Sequence, residues 1–311
     1  MNLVFCADRR MLAGLHVAAQ SILFELHNEV PQVSISVFSA DLDDSDEALL
    51  RKTLDRTGRD YVLTMYPIDS SRFESFPDLQ ASHATYFRLI VPDILGVDRF
   101  LYIDADTLCR ANLQPLYHTD LQGNPIGMAP EAPIERSVDP DVARLLGDRA
   151  KGYYYNAGVA LIDAALWRRE GLTEKCLKFI QDHHPSYHDQ SALNYVLHGK
   201  IRCLEAKYNC RTNARENWPD LKSPASGRGK LLHFVDFPKP WSKWGKVVHP
   251  LGPVWWNALA RTEMDASTLG SVDLSLVWRT REAYRRTFKD TILFRGYCLG
   301  AISKVKGVPS Q

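Results

Sequence analysis

The chain has 311 residues, with 38 Lys and Arg against 37 Asp and Glu, so its formal net charge is +1. Hydrophobic residues make up 45% of the chain and charged residues 24%, which is typical of a folded globular protein. This composition excludes global disorder, and the balanced charge gives no reason to expect a nucleic acid partner.

The first hundred residues alternate strand patterns with helix patterns. Short apolar or alternating runs predict strands, and apolar residues at helical spacing predict helices. The predicted strands cover residues 3–7, 33–37, 62–66 and 100–103, and the predicted helices cover 11–26, 44–54 and 86–95, with Ser45 as the N-cap of the second helix. This order predicts an α/β fold with a mainly parallel sheet and helices on both faces. Ligands of such sheets bind beyond the carboxyl ends of the strands.

Two carboxylates, Asp104 and Asp106, directly follow the fourth predicted strand. Because residues i and i+2 of an extended chain point the same way, both side chains can converge on one cation, and their oxygens suit Mg²⁺ or Mn²⁺. The alternative is that these residues merely end a strand and start a turn. A second alternative is a phosphatase of the haloacid-dehalogenase type, although Leu108 stands where those hydrolases have Thr or Val.

Three further groups of residues suit a polar ligand. His233 follows an apolar run, where a single His is more often structural, but it could add a nitrogen ligand, which would favour Mn²⁺ over Mg²⁺. Lys239 lies between two prolines and suits a phosphate. In residues 153–159, Asn156 offers donors and acceptors for hydroxyl groups, and the alternative is that this segment is only a turn before a strand. Asp189 and Gln190 precede a predicted helix, so Asp189 could also be only a helix cap.

The end of the chain has a different composition. From Arg279 to Lys306, eight basic residues face two acidic ones, so this segment carries +6 and the rest of the chain −5. Aromatic and aliphatic side chains are interleaved with these charges, which suits a helix on an anionic membrane surface. The alternative is a terminal helix packed on the domain with a solvated basic face. We therefore divide the chain into a catalytic domain, 1–260, and a basic C-terminal segment, 261–311.

The expected location is cytoplasmic. The six cysteines form no Cys-x-x-Cys pair, and scattered thiols in a chain of this length are typical of a reducing compartment. The short apolar run at residues 3–7 is unlike a signal peptide, and no run approaches the length of a membrane span. Together with the basic segment, these features predict a peripheral protein on the inner face of the membrane.

The order of these motifs resembles glycosyltransferase family 8 over residues 2–245. The resemblance rests on Ala7, Thr85-Tyr-x-Arg88, Asp104-x-Asp106, Tyr155-Asn-Ala-Gly-Val159, Asp189-Gln190, His233 and Lys239-Pro-Trp241. It implies a GT-A fold, Mn²⁺, a UDP-sugar donor, a saccharide acceptor and transfer with retention of anomeric configuration. In bacterial members a basic, aromatic tail attaches the enzyme to the membrane, and the acceptor is a lipid-linked or lipopolysaccharide-core glycan.

The resemblance also implies roles for individual residues. Asp104, Asp106 and His233 would be metal ligands, and Gln190 would stand where a nucleophile would be, with Asp189 as the other catalytic candidate. Because Gln is a poor nucleophile, a front-face mechanism fits better, in which the leaving phosphate takes the acceptor proton. The donor would be contacted by Ala7, Asp8, Arg10, Arg88, Asp104, Ala105, Asn156, Ala157 and Lys239.

Two departures from the family pattern affect the nucleotide. Arg10 and Met11 stand where many members have Asn and an aromatic residue that packs on the base, and Asp236 replaces a glycine near the phosphates. A non-catalytic protein that binds a nucleotide sugar is a third alternative, although the three expected metal ligands all stand in this sequence. The pattern does not distinguish a galactose from a glucose donor.

Overall fold

The computed structural model describes residues 1–26, 32–77, 82–212, 227–236, 238–242, 245 and 249–269. The described residues divide into two compact units: the first takes those within Met1–Cys210, Arg228–His233 and Arg261–Met264, and the second takes the others. Residues 261–264, which we assigned to the C-terminal segment, thus belong to the first unit. The basic tail lies outside the described residues, so its division from the catalytic domain and its membrane role stay predictions.

Strands and helices alternate along the chain. The strands are β1 (Asn2–Cys6), β2 (Val33–Ser39), β3 (Tyr61–Pro67), β4 (Arg99–Ile103), β5 (Thr107–Cys109), β6 (Ile126–Pro133), β7 (Tyr153–Asp163), β8 (Ile201–Cys203), β9 (Cys210–Thr212) and β10 (Leu231–Phe234). The helices are α1 (Leu12–Glu25), α2 (Asp44–Asp55), α3 (Ala84–Ile94), α4 (Gln114–Tyr117), α5 (Pro140–Leu146), α6 (Ala164–Arg169), α7 (Leu172–His183), α8 (His188–Val196) and, in the second unit, α9 (Gly252–Leu259).

Seven strands form one sheet in the order β3-β2-β1-β4-β7-β6-β8. The pairs among β3, β2, β1 and β4 are parallel, and β8 is parallel to β6, whereas β7 is antiparallel to both β4 and β6. The predicted α/β class with a mainly parallel sheet is confirmed. The turn after β4, which carries Asp104, lies at the carboxyl edge of the parallel strands.

The core lies on both faces of this sheet, as the alternation in β1 shows. Leu3 and Phe5 pack into one cluster, which includes α1 and part of α2, while Val4 and Cys6 pack into another with α3, α7 and α8. Burial of one such side chain contributes roughly 1.5–3 kcal/mol. Because both faces are covered, the central strands are fixed, and so is the edge that carries the polar residues.

The N-terminal caps of two helices differ from those considered from the sequence. Helix α2 is capped by Asp43 rather than Ser45. The Asp43 side chain accepts from the amides of Ser45 and Asp46, and the Asp43 amide donates to the Asp46 side chain. Helix α8 begins at His188 without a side-chain cap, so Asp189 lies inside the helix and is not its N-cap. Its carboxylate is therefore available for other contacts.

Five cysteines are described, and all five are free thiols. Cys6, Cys109 and Cys176 are buried, whereas Cys203 is exposed. Among the helices that the structure describes, none has the length and apolar character needed to cross a membrane.

Candidate metal and donor site

Asp104, Asp106 and His233 form a cluster of possible metal ligands. One ligand atom of each lies within 4.8 Å of the others. The Nε2 atom of His233 is 3.1 Å from Oδ1 of Asp106 and 3.7 Å from Oδ2 of Asp104. Two carboxylates and one buried imidazole are a suitable donor set for a divalent metal ion. The residues present therefore fit a divalent metal ion.

The turn between β4 and β5 and the pairing of β10 bring these ligands together. Asp104 and Asp106 flank the buried Ala105 in that turn, and the Thr107 hydroxyl donates to the Asp104 carbonyl at 2.9 Å. Strand β10 runs antiparallel to β5, with His233 opposite Thr107. The sequence predicts that the two aspartates converge at an extended strand end. In the structure they converge through a turn instead.

The carboxylate of Asp104 is oriented by two donors. Its Oδ1 accepts from Arg88 at 2.9 Å and from the Tyr102 hydroxyl at 2.6 Å, while Oδ2 is the oxygen that faces His233. Tyr102 was not among the sequence candidates. The signal was available, because residues two apart near a strand end share a face and the phenol precedes Asp104 by two positions.

An irregularity in β7 supplies backbone groups to the site. Strand β6 pairs with β7 at Met128–Ala160 and next at Ala129–Asn156, so Ala157, Gly158 and Val159 have no partner on β6. Such bulges expose main-chain groups and often lie beside active sites. The Ala157 amide donates to Gln190 Oε1 at 2.9 Å, the Ala157 carbonyl accepts from Arg88 at 2.8 Å, and the Gly158 amide donates to Asn156 Oδ1 at 3.0 Å.

Arg88 links the metal cluster to helix α8. Its Nη2 lies 2.9 Å from Oδ1 of Asp104, and its Nε lies 3.0 Å from Oδ2 of Asp189. The other Asp189 oxygen, Oδ1, accepts from the Thr85 hydroxyl. Burial alone would lower the pKa of Arg88, but the two carboxylates outweigh it and raise that pKa. Burial raises the pKa of Asp189, and the Arg88 charge opposes this rise. The guanidinium thus holds two nearby carboxylates in place.

Gln190 is fixed by contacts at both ends of its amide. Its Oε1 accepts from Ala157, and its Nε2 donates to the Tyr154 hydroxyl at 3.2 Å. That hydroxyl donates in turn to Oδ2 of the fully buried Asp139 at 3.0 Å, and Ser191 donates to the same oxygen. Neither Tyr154 nor Asp139 was a sequence candidate, since no local pattern connects them to Gln190.

The remaining sequence candidates lie at two places. Ala7 is buried after β1, and Asp8 pairs with Arg10 at 2.7 Å while it caps the short helical turn Arg9–Met11. Lys239 belongs to the second unit, where its Nζ donates to the Phe234 carbonyl. In the same unit Asp236 has φ +59°, so it keeps the backbone conformation that glycine favours.

Comparison with known sequences finds one family. The sequence model of glycosyl transferase family 8 matches residues 2–245. A lipopolysaccharide 1,3-galactosyltransferase of Salmonella typhimurium is 28% identical over 255 residues, which are 78% of this chain and 74% of that protein. A lipopolysaccharide 1,2-glucosyltransferase of Escherichia coli is 28% identical over 257 residues, which are 78% of this chain and 73% of that protein.

Solved structures share the fold. The galactosyltransferase LgtC, in complex with donor and acceptor sugar analogs, superimposes with a TM-score of 0.69 at 25% identity, and the match covers 92% of this chain and all of that one. The apo structure of the bifunctional WbbM superimposes with a TM-score of 0.70 at 18% identity, over 88% of this chain and 52% of that one. The architecture described above is therefore common to these chains.

Proposed function

Because the chain belongs to glycosyl transferase family 8, has the GT-A fold and is a glycosyltransferase, we propose that it transfers galactose or glucose from a UDP-sugar to a saccharide with retention of anomeric configuration. The observation that carries the proposal is the cluster of Asp104, Asp106 and His233 beside the β7 bulge. It offers a metal site next to backbone and side-chain groups that can bind hydroxyls. A phosphatase of the haloacid-dehalogenase type is not supported by this family membership.

Mn²⁺ is the metal we propose, with Mg²⁺ as the second choice. Asp104, Asp106 and His233 would hold it, and the nitrogen ligand favours Mn²⁺ because Mg²⁺ prefers oxygen. A divalent ion bound there would supply positive charge to the diphosphate leaving group. The low exposure of the ligands supports strong electrostatic interaction, since the side chains of His233 and Asp106 are only 5% and 11% exposed.

Donor binding is proposed for the residues that the family pattern assigns to the donor. Ala7 and Asp8 would contact uracil and ribose, with Arg10 near the ribose or the diphosphate and Lys239 on phosphate. The donor sugar would lie against Asn156 and Ala157. Arg88 would act next to it, together with Asp104 and Ala105. The pairing of Asp8 with Arg10 supports a recognition of the nucleotide by this pair, in place of an aromatic residue that stacks on the base.

The contacts of Gln190 and Asp189 support a front-face mechanism. An attacking nucleophile needs an oxygen directed at the anomeric carbon. Gln190 Oε1 is engaged by the Ala157 amide, and Asp189 is engaged by Arg88 and Thr85. We propose that these two side chains orient the site, and that the leaving phosphate accepts the proton of the acceptor hydroxyl.

The acceptor we propose is a lipopolysaccharide-core or lipid-linked glycan. Support comes from the relatives, which include a 1,3-galactosyltransferase and a 1,2-glucosyltransferase of lipopolysaccharide. The basic and aromatic composition of residues 279–306 supports attachment to an anionic membrane at its cytoplasmic face. A chain truncated after Asp265 should then lose co-sedimentation with anionic liposomes and keep UDP release. Unchanged sedimentation would contradict the membrane role.

The decisive assay is metal-dependent release of UDP from a panel of UDP-sugars. We expect release of UDP from UDP-galactose or UDP-glucose with Mn²⁺. In Asp106→Ala the rate of release should fall at least a hundredfold, because one of the three proposed metal ligands is removed. The control is Asp182→Ala, which removes an exposed carboxylate that pairs with Lys178 on the surface of α7. Full activity of Asp106→Ala, release of phosphate from a phosphomonoester instead, or binding without turnover would each contradict the proposal.

A further inference from the structure

The His233 ring is held by a chain of hydrogen bonds that begins at a backbone amide. The Gly158 amide donates to Asn156 Oδ1 at 3.0 Å. Asn209 lies next in the chain, with its Nδ2 2.9 Å from the same Asn156 oxygen and its Oδ1 2.9 Å from Nδ1 of His233. Asn209 and His233 are 5% and 4% exposed, so these bonds are largely shielded from solvent.

The direction of every bond in this chain follows from its first member. A backbone amide can only donate, so the Asn156 atom that faces it is an oxygen. That oxygen needs a donor from Asn209, which places the Asn209 amide nitrogen there and its oxygen toward His233. The Asn209 oxygen in turn requires a proton on Nδ1 of His233. The other ring nitrogen, Nε2, is the one that faces Asp104 and Asp106.

We propose that Asn209 is a positioning residue that, oriented by Asn156, keeps the proton of His233 on Nδ1 and so presents the Nε2 lone pair to the metal. This inference rests on the metal-dependent function proposed above. Histidine ligands of metals commonly donate their second ring N–H to a neighbouring acceptor, which fixes the tautomer and the ring orientation. Asn156 therefore has a role in the metal site that is separate from any contact with the donor sugar.

The ring nitrogens can be read directly by long-range ¹H–¹⁵N NMR. We expect Nδ1 of His233 to show the signal of a protonated ring nitrogen in the metal-free protein and also with Mg²⁺, which is diamagnetic. The signal is assigned by its loss in His233→Gln. An unprotonated Nδ1 in the wild-type chain under either condition would overturn the proposal without any variant of Asn209.

Variants test the chain of hydrogen bonds from Gly158 to His233, which we call the relay, through its effect on metal affinity. The affinity for Mn²⁺ is measured from the EPR signal of free Mn²⁺, with no sugar donor present. Asn209→Leu should weaken Mn²⁺ binding by about ten- to a hundredfold, and Asn209→Asp, which keeps an oxygen toward Nδ1, should retain the Nδ1 proton signal. Asn194→Leu is the control, since Asn194 is equally buried but bonds to the backbone of Tyr155 and Gln190. Equal Mn²⁺ affinities of the Asn209→Leu and wild-type chains would overturn the proposal.

A double-mutant cycle separates the relay from two independent packing effects. Asn156→Ala should weaken Mn²⁺ binding in the wild-type background, because the Asn209 amide is then free to turn its nitrogen toward His233. In the Asn209→Leu background the same change should have little effect. Additive losses would contradict the relay. Because these readings need neither donor nor turnover, a failure of the UDP assay would be distinguishable from a failure of this inference.

Discussion

Gly158 leaves the space in which the ring of His233 lies. A β-carbon at residue 158 would be 2.2 Å from Cε1 and 2.7 Å from Nδ1 of His233, and 2.8 Å from Oδ2 of Asp104. The strand cannot easily shift away, because the Asp104 amide donates to the Gly158 carbonyl at 2.7 Å and extends the pairing of β4 with β7. A side chain at this position is therefore incompatible with the metal cluster as it stands.

We predict that Gly158→Ala destroys the metal site but not the fold. The methyl group must displace His233 or Asp104, and a displacement of about 1 Å in a site can cost a hundredfold in rate. Mn²⁺ affinity and UDP release should both fall by at least that factor, with the circular dichroism spectrum unchanged. Gly96→Ala is the matched control, because nothing lies within 4 Å of its added carbon. Normal Mn²⁺ affinity in Gly158→Ala would contradict the assignment of the cluster.

Hydrophobic pattern was sufficient to predict the first half of the sheet. Strands β1 to β4 and the helices between them follow from apolar runs and helical spacing, and each was placed within a few residues. Strand β6 was missed, since Ile126–Pro133 contains Gly127 and two prolines, which normally argue against an inner strand. The structure tolerates them because the register of β6 against β7 shifts around Pro130.

Sequence pattern identified the candidate site only where the residues lie close together in the chain or resemble a family motif. Asp104 and Asp106 follow an apolar strand, so local pattern was enough. Asn209 bonds to Asn156 across 53 residues, and Tyr154 bonds to Asp139 within a network that also includes helix α8. Single polar residues at such separations have no periodicity, and only the fold shows that they meet.

We predict that Arg88→Met is strongly destabilising at neutral pH. The change leaves Asp104 and Asp189 without the buried guanidinium that lies within 3.0 Å of both, and removal of one partner of a buried ion pair costs about 3–5 kcal/mol. Urea unfolding measures this loss. Arg144→Met is the control, because its surface pair with Asp141 should contribute less than about 1 kcal/mol.

The loss in Arg88→Met should also depend on pH. Burial raises the pKa of Asp189 in the folded state, so the folded protein holds a proton more tightly than the unfolded chain does. Protonated Asp189 therefore adds to the free energy of unfolding below the ordinary carboxylate pKa of about 3.9. This contribution is lost as the pH rises through the raised pKa of Asp189 in the folded protein. Without Arg88 the pKa of Asp189 in the folded protein rises further. The loss of unfolding free energy in Arg88→Met, relative to the wild type, should therefore become smaller as the pH falls. A deficit that is constant with pH would contradict this account.

We predict that Tyr154→Phe weakens both stability and catalysis. The hydroxyl donates to the buried Asp139 and accepts from Gln190, so its removal leaves fewer partners for two polar groups and should cost about 1–3 kcal/mol. Since the Gln190 amide loses one of its two fixed ends, we also expect UDP release to slow roughly tenfold, the equivalent of about 1.4 kcal/mol. Tyr153→Phe is the control, because that neighbouring side chain is exposed. Equal rates for the two variants would show that Tyr154 does not orient Gln190.

The last prediction concerns His16, which is fully buried in α1 with its Nδ1 2.8 Å from the Thr53 hydroxyl. Burial lowers the pKa of His16 to about 4 in the folded protein, whereas an unfolded chain has a value of about 6.5. Between pH 6.5 and pH 4, His16 is therefore largely protonated in the unfolded chain and largely neutral in the folded protein. The stability that this depressed pKa provides is present above pH 6.5 and is lost as the pH falls toward 4.

His16→Asn removes the titrating ring and keeps an amide near the position of Nδ1. At pH 7 the variant should be less stable than the wild type, because a small cavity replaces part of the ring. From pH 7 to pH 5 the difference in unfolding free energy between the two proteins should narrow by about 2 kcal/mol, because only the wild type has a group at residue 16 that is protonated on unfolding. Burial lowers the pKa of His249 to about 3, so at acid pH this residue reduces the unfolding free energy of the wild type and of the variant equally. Urea unfolding at the two pH values measures the narrowing, and a difference that stays constant would show that the His16 ring does not titrate as its burial requires.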